Sequence, residues 1–483
     1  MTTEGRSDCL DAFIVALNQA CDGQDKRWYA STLELQLVSM AFCQACRSVP
    51  TLHVRINQET PRSLWSPRKL RPTQNKRSRE VYISSRVPAV LALQRSALEL
   101  RPGSKYRRRT PPSSSASLES MVWPQSLKSL EFASDMRVNT ASWPVSLQQL
   151  SFRGGFNQPI AEVVWSASLK QLSFGFRFNQ PIAQVVWPPS LQQLSFGHAF
   201  NQPIVGVMWS ASLKQLSFGF RFNQPIVGVM WSASLQQLSF GSQFDQPIAE
   251  VMWSASLKHL SFGFRFNQAI VGVVWPDSLQ QLSFGSQFNQ PIIGVVWPAS
   301  LQQLSFGDAF NQPIMGVMWP ASLQQLSLGN KFNQPVVGVV WPASLQRLSF
   351  GVAFNQPIIG VVWPASLQQL SFGLRFNQPI VGIVWPASLQ RLALGSSFNQ
   401  PIAEVVWPAS LQQLSLGNKF NQPIVGIVWP ASLQRLALGS SFNRPIAEVV
   451  WQASLQRLAV GFFIQPAHCR SRVAGFPAAA IAW

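Results

Sequence analysis

The chain has 483 residues, with 19 Trp, 33 Phe and 35 Pro beside 38 basic and 19 acidic side chains, a formal net charge of +19. So much aromatic carbon with only 12% charged residues excludes an intrinsically disordered polyelectrolyte. No apolar run reaches the roughly 18 residues that a membrane-spanning helix needs, so no membrane insertion is expected.

Taken from its start, the chain opens on residues 1–54, with 4 basic and 6 acidic side chains. An amphipathic pattern from Asp8 to Cys21 predicts a small helical segment there. Glu4, Asp8 and Asp11 precede only the short apolar stretch Phe13 to Leu17, so the basic start and longer apolar core of a secretory leader are missing. The five cysteines, Cys9, Cys21, Cys43, Cys46 and Cys469, are odd in number and avoid the centre of the chain, which also lacks any Asn-x-Ser/Thr acceptor. An intracellular location, cytoplasmic or nuclear, is expected on these grounds. Cys43-Gln44-Ala45-Cys46 has the spacing of half a zinc site, but only Cys9, Cys21 and His53 stand nearby as further ligands. No metal or other cofactor is assigned.

Residues 55–120 read as a basic, Pro- and Ser-containing linker without fixed structure. The stretch 55–109 holds 15 basic residues against 3 acidic ones, and Arg107-Arg108-Arg109 runs into Thr110-Pro111-Pro112-Ser113. Such a tract makes nucleic acid a possible partner, with Lys76-Arg77-Ser78-Arg79 as phosphate contacts or a nuclear address.

From Leu147 a 22-residue motif recurs without insertion through Ser454, which is 308 residues or 14 copies. A degenerate copy of 20 residues starts at Leu127, and a truncated one follows Leu455 to about Pro466. A fixed period means stacked equivalent coils rather than independent domains, so residues 121–466 are expected as one solenoid and 467–483 as an unstructured tail. Positions are numbered 1 to 22 from the first Leu, and a coil, or rung, is called by that residue. In rung 279, Gly285, Pro291 and Pro298 fall at positions 7, 13 and 20 and leave no window long enough for an ordinary helix. Leu282-Ser283-Phe284 alternates as a short strand does, with Ser outward. The fold expected is a β-rich solenoid with one short parallel strand per rung. Positions 1, 4, 6, 10, 14, 17 and 19 supply its core.

The Leu-x-x-Leu-x-Phe segment is similar to the strand of leucine-rich repeats. Ser190-Leu191-Gln192-Gln193-Leu194-Ser195-Phe196-Gly197 with Phe200-Asn201-Gln202-Pro203-Ile204 more specifically resembles the 22-residue FNIP repeat, a relative of that family. The resemblance covers residues 147–454 and, weakly, 127–146. It departs from the family at position 19, where Trp187 or Trp297 stands in place of Leu, and at position 20, where Ser166, Ser210, Ser232, Ser254 and Gln452 replace Pro. The resemblance implies a leucine-rich-repeat-like, right-handed stack and a non-enzymatic recognition scaffold. Some family members add an F-box-like adaptor, a pattern that residues 1–120 do not carry.

Position 11 is Asn in thirteen copies, among them Asn157, Asn179, Asn201, Asn223, Asn289, Asn311 and Asn333, and Asp245 in the other. An amide recurring inside an apolar coil predicts a structural ladder that serves turn backbone. The Trp column from Trp143 to Trp451 is expected in the core. Binding belongs to the outward positions 3, 8 and 9. Of the 14 basic residues in the copies, 12 sit at positions 2, 3 and 9, whereas four of the 7 acids sit at position 16. The candidate surface is therefore Arg177, His198, Arg221, His259, Arg265, Lys331, Arg347, Arg375, Arg391, Lys419 and Arg435, on the concave strand face, with an acidic protein as partner. No pairing of nucleophile and base recurs, there are only two His in the repeats and no phosphate-binding loop, so no enzyme is expected. The near identity of rungs 389 and 433 leaves the alternative of a recently expanded array without a specific ligand.

Overall fold

The computed structural model describes residues 142–460 throughout, most of 123–138, and the backbone alone of 52–57, 79–84 and 481–482. It divides into two units, residues 1–220 and 221–483. The helix expected between Asp8 and Cys21, the Cys43–Cys46 motif and most of the linker 55–120 lie outside the described residues. Within the first unit, β1 (Leu52–Asn57) runs parallel to both β2 (Arg79–Ser84) and β3 (Leu127–Phe132). From β3 the strands β4 (Gln149–Phe152), β5 (Gln171–Ser173), β6 (Gln193–Ser195) and β7 (Gln215–Ser217) pair in order, all parallel.

The second unit repeats the same step from β8 (Gln237–Ser239), β9 (His259–Ser261) and β10 (Gln281–Ser283) to β17 (Arg435–Ala437) and β18 (Arg457–Ala459), where β19 (Ile481–Ala482) joins. No described residue is helical. Register is constant: Gln281 faces Gln303, Leu282 faces Leu304 and Ser283 faces Ser305. A strand of three residues is all that the motif permits. Leu282 points inward and is 2% exposed, while Gln281 and Ser283 look outward, and the following Phe284 already donates its N–H to Ser305 of the next rung.

Three turns close each coil. The N–H of Phe288 donates to the carbonyl of Gly285, that of Val295 to Ile292, and that of Leu301 to Pro298. The last bond explains why position 20 accepts Ser: Leu169 N–H bonds the Ser166 carbonyl in the same way, and the buried Ser166 hydroxyl donates to the Pro144 carbonyl. The turn around positions 15 and 16 likewise has two forms. Gly294 takes a φ of 85° there, as the third residue of a type II turn requires. Rungs with Glu162 or Glu250 at that position keep the bond between positions 17 and 14 with no positive φ, which is the type I geometry.

Between the turns lies a core of aligned columns. Phe288 is fully buried, its ring 4.2 Å from Phe284 of its own coil and 6.2 Å from Phe310 of the next. The indoles form a parallel file, with Trp231 and Trp253 at 6.4 Å and Trp253 and Trp275 at 6.3 Å, edge-on to the Phe column; Trp275 and Trp297 are buried as expected, whereas Trp209, Trp231, Trp253, Trp319 and Trp451 are only half-buried. Burial of these rings supplies the main stabilisation. It is obtained only by stacking, because each coil covers one face of the next.

The polar spine runs beside it. In the first unit Asn157 N–H donates to the Asp135 carboxylate and Asn179 N–H to Asn157 Oδ1, each at 2.8 Å. In the second, the chain of bonds passes from Asn223 through Asp245, Asn267 and Asn289 to Asn443. The adjoining Gln at position 12 adds a second bond, as Gln312 Nε2 does to the Asn289 carbonyl at 3.0 Å. Every bond from the next backbone uses the side-chain oxygen as acceptor, so Asp serves as well as Asn, and Asp245 is the example in the chain itself. Asn289→Ala leaves the Asn311 N–H without its acceptor, at a cost of about 1–3 kcal/mol, whereas Asn289→Asp should cost well under that. Hydrogen exchange at the Asn311 amide measures the difference, and equal protection in the two variants would refute the acceptor role.

Candidate binding surface

The constant register turns sequence positions into columns. Arg347 pairs across the ladder with Gln325 and Gln369, Arg391 with Gln369 and Gln413, and Arg435 with Gln413 and Arg457. All four arginines are exposed, and a parallel sheet places them along one line, Arg347, Arg391 and Arg435 at every second rung, about 9.6 Å apart at ~4.8 Å per strand, with Arg457 on the rung directly after Arg435. Position 9, on the turn just beyond the strand, carries Lys331, Arg375 and Lys419, also exposed. Their backbone is fixed by the loop below: Lys331 N–H donates to the Asp308 carbonyl and Arg375 N–H to that of Val352.

The two columns alternate from rung 323 to rung 433, and rung 455 repeats the strand position. Rungs 323, 367 and 411 present a cation at position 9, and rungs 345, 389, 433 and 455 present one at position 3. Seven consecutive rungs thus offer one cation each on the strand and its rim, with no acid on that face. The acids of these rungs, Glu404 and Glu448, stand at position 16 on a different turn. None of the seven forms an ion pair with an acid among the described residues; the pair that the structure holds is Arg153 with Glu131, at 3.0 Å. Earlier in the same unit Arg221 and Arg265 are exposed at position 9, and His259 is half-buried at position 3 beside Gln237 and Gln281.

In the first unit the candidates behave differently. Arg177 is exposed, but His198 is stacked between Phe176 and Phe220, with ring centroids 4.3 and 4.7 Å apart. It belongs to an aromatic rim at position 8, not to a charged row. Sequence reasoning left out Arg457, which extends the strand column but follows the last complete copy; the Leu-x-x-Leu spacing at Leu455 and Leu458 is the signal that includes it. Among the described residues no group of His, Cys, Asp and Glu is arranged to hold a metal ion, and no helix is long and apolar enough to cross a membrane.

The family described as FNIP Repeat matches residues 156–199, 244–287, 288–331, 332–375 and 376–419. The chain carries FNIP repeats across residues 156–419. The crystal structure of CroV588, a novel circular LRR protein, is similar to it at 38% identity and a TM-score of 0.58, over 72% of this chain and 58% of that one. The FNIP chain therefore spans less than two thirds of CroV588. An internalin (inlF) from Listeria monocytogenes matches at 15% identity and a TM-score of 0.41, over 63% of this chain and 83% of its own. No curated protein matches the sequence. Each FNIP match covers a pair of rungs, and the last four follow one another without a gap.

Proposed function

We propose that this FNIP array is a non-enzymatic scaffold that binds an extended acidic segment of a protein partner along its concave, strand-bearing face. The observation that carries the reading is the run of seven exposed cations, Lys331, Arg347, Arg375, Arg391, Lys419, Arg435 and Arg457, at one per rung. An extended polypeptide rises about 3.3 Å per residue, so a carboxylate at every third residue recurs at ~10 Å and keeps step with either column. Each exposed pair contributes little, about 0–1 kcal/mol. Several in register give usable affinity that salt weakens.

The test is direct. Fluorescence anisotropy of a labelled oligoglutamate of about 20 residues should report binding that weakens from ~50 to ~300 mM salt. Reversal of Arg347, Arg391 and Arg435 to Glu should weaken it at least about tenfold, or ~1.4 kcal/mol, without lowering the melting temperature, since none of the three side chains is in the core. Undiminished binding by the triple variant would remove the strand face from the function.

A further inference from the structure

A second surface of the array has the opposite character. In rung 279 the outward positions beyond the Asn spine are Pro291, Ile293, Gly294, Val296 and Ala299, all exposed. Ile292, Val295 and Trp297 between them are buried, so these five residues are the outward side of the run from position 13 to position 21, the flank of the coil that follows the Asn spine. The same five kinds of residue, Pro, a branched or Met side chain, Gly, Val or Met, and Ala, recur in the next four rungs as far as Ala387. Across five rungs this flank therefore holds no charge and no polar side chain. The position-18 column is especially bare: Val296 is 77% exposed, Met318 80%, Val340 81% and Val384 83%. Asp277 before the patch and Glu404 after it mark its ends.

Soluble monomers seldom leave an apolar patch beyond a few hundred Å² open to water. At about 25 cal/mol per Å² and 1.5–3 kcal/mol for a buried Val or Ile, one such side chain amounts to roughly 60–120 Å². The ten side chains at positions 15 and 18 together with the Pro and Ala rows then bring the flank to roughly 800 Å², the area that each partner of a stable complex buries.

We infer that this flank, between Pro291 and Ala387, is the interface of a homodimer. A second copy is the occupant with matching dimensions, since it presents ridges of the same rung spacing, and the same uncharged patch of the same length. A two-fold axis through the patch makes the contact isologous and closed. This surface is separate from the cationic strand face, so dimerisation would leave both strand faces open.

Sedimentation velocity on the full chain tests it. The wild-type chain should sediment at twice its monomer mass at about 10 µM, and the combined variant Val296→Lys, Val340→Lys, Val384→Lys at monomer mass, with a dissociation constant raised at least ~100-fold. These side chains are outside the core, so circular dichroism melting should be unchanged. Val340→Glu alone, a single exposed change at the centre of the patch, should weaken the dimer at least ~10-fold, and Arg391→Glu on the strand face should not weaken it. A wild-type chain that stays monomeric overturns the inference, as does a triple-Lys variant that still dimerises. A monomer that binds neutral phosphatidylcholine vesicles also overturns it and assigns the flank to a lipid surface.

Discussion

Gly285→Ala should destabilise the array by more than about 4 kcal/mol, in the class of changes that a fold of this kind hardly survives, whereas Gly294→Ala nine residues away should cost about 1 kcal/mol. The two glycines stand for different reasons. A Cβ on Gly285 would lie 1.6 Å from the carbonyl oxygen and 2.4 Å from the carbonyl carbon of Gly263 in the rung below. Both are backbone atoms, so no rotamer relieves the clash and the rungs themselves must part. The same holds along the column, where Gly307 approaches the Gly285 oxygen and Gly373 that of Gly351. Around Gly294 the nearest atom to a new Cβ is a Val271 methyl carbon at 3.9 Å. Only its φ of 85° resists substitution, and the turn has the alternative form seen in the rungs with Glu162 and Glu250. Denaturant unfolding of the two variants decides the point; equal midpoints would mean that the rung spacing is not set by this column.

Phe288→Ala should cost about 3–5 kcal/mol. The ring is fully buried and packs against Phe284, Phe266, Phe306 and Phe310, so truncation opens a void bordered by three coils, and the loss should appear as reduced amide protection in the rungs on both sides. Phe306→Leu is expected to cost less than about 1.5 kcal/mol, because position 6 already holds Leu328, Leu394, Leu416 and Leu438, each buried. A Phe288→Ala chain as protected as the wild type would contradict the stacked-core account.

The sequence alone made the period, the inward columns and the parallel strand legible, since Leu279, Leu282, Phe284, Phe288, Ile292 and Val295 recur at fixed spacing and burial follows chemistry at each. It did not make the rung-to-rung clash at Gly285 legible: glycine at a strand end reads as a turn residue, and only the stacking distance shows that its missing Cβ is occupied by Gly263. The cations were visible as separate positions, 3 and 9. Their alternation needs the register, because residues 331 and 347 become neighbouring steps only when their coils are superposed. The apolar flank was hidden for a related reason. Pro291, Ile293, Val296 and Ala299 follow neither a helical nor a strand period, because buried Ile292, Val295 and Trp297 interrupt them at uneven intervals. Trp297 between them is buried, so a reading by hydropathy merges core and surface into one apolar stretch.

Because each coil touches only its two neighbours, whole rungs can be gained or lost with the contacts on either side restored unchanged. The alternation of charge is less forgiving. Position 9 carries Arg221 and Arg265 two rungs apart, but the next cation in that phase is replaced by Ala309, and Lys331, Arg375 and Lys419 resume one rung later. Insertion or deletion in even numbers preserves the beat of the cation columns, and an odd number displaces it, so the slip at Ala309 divides the array into two stretches that would hold a periodic ligand in different frames.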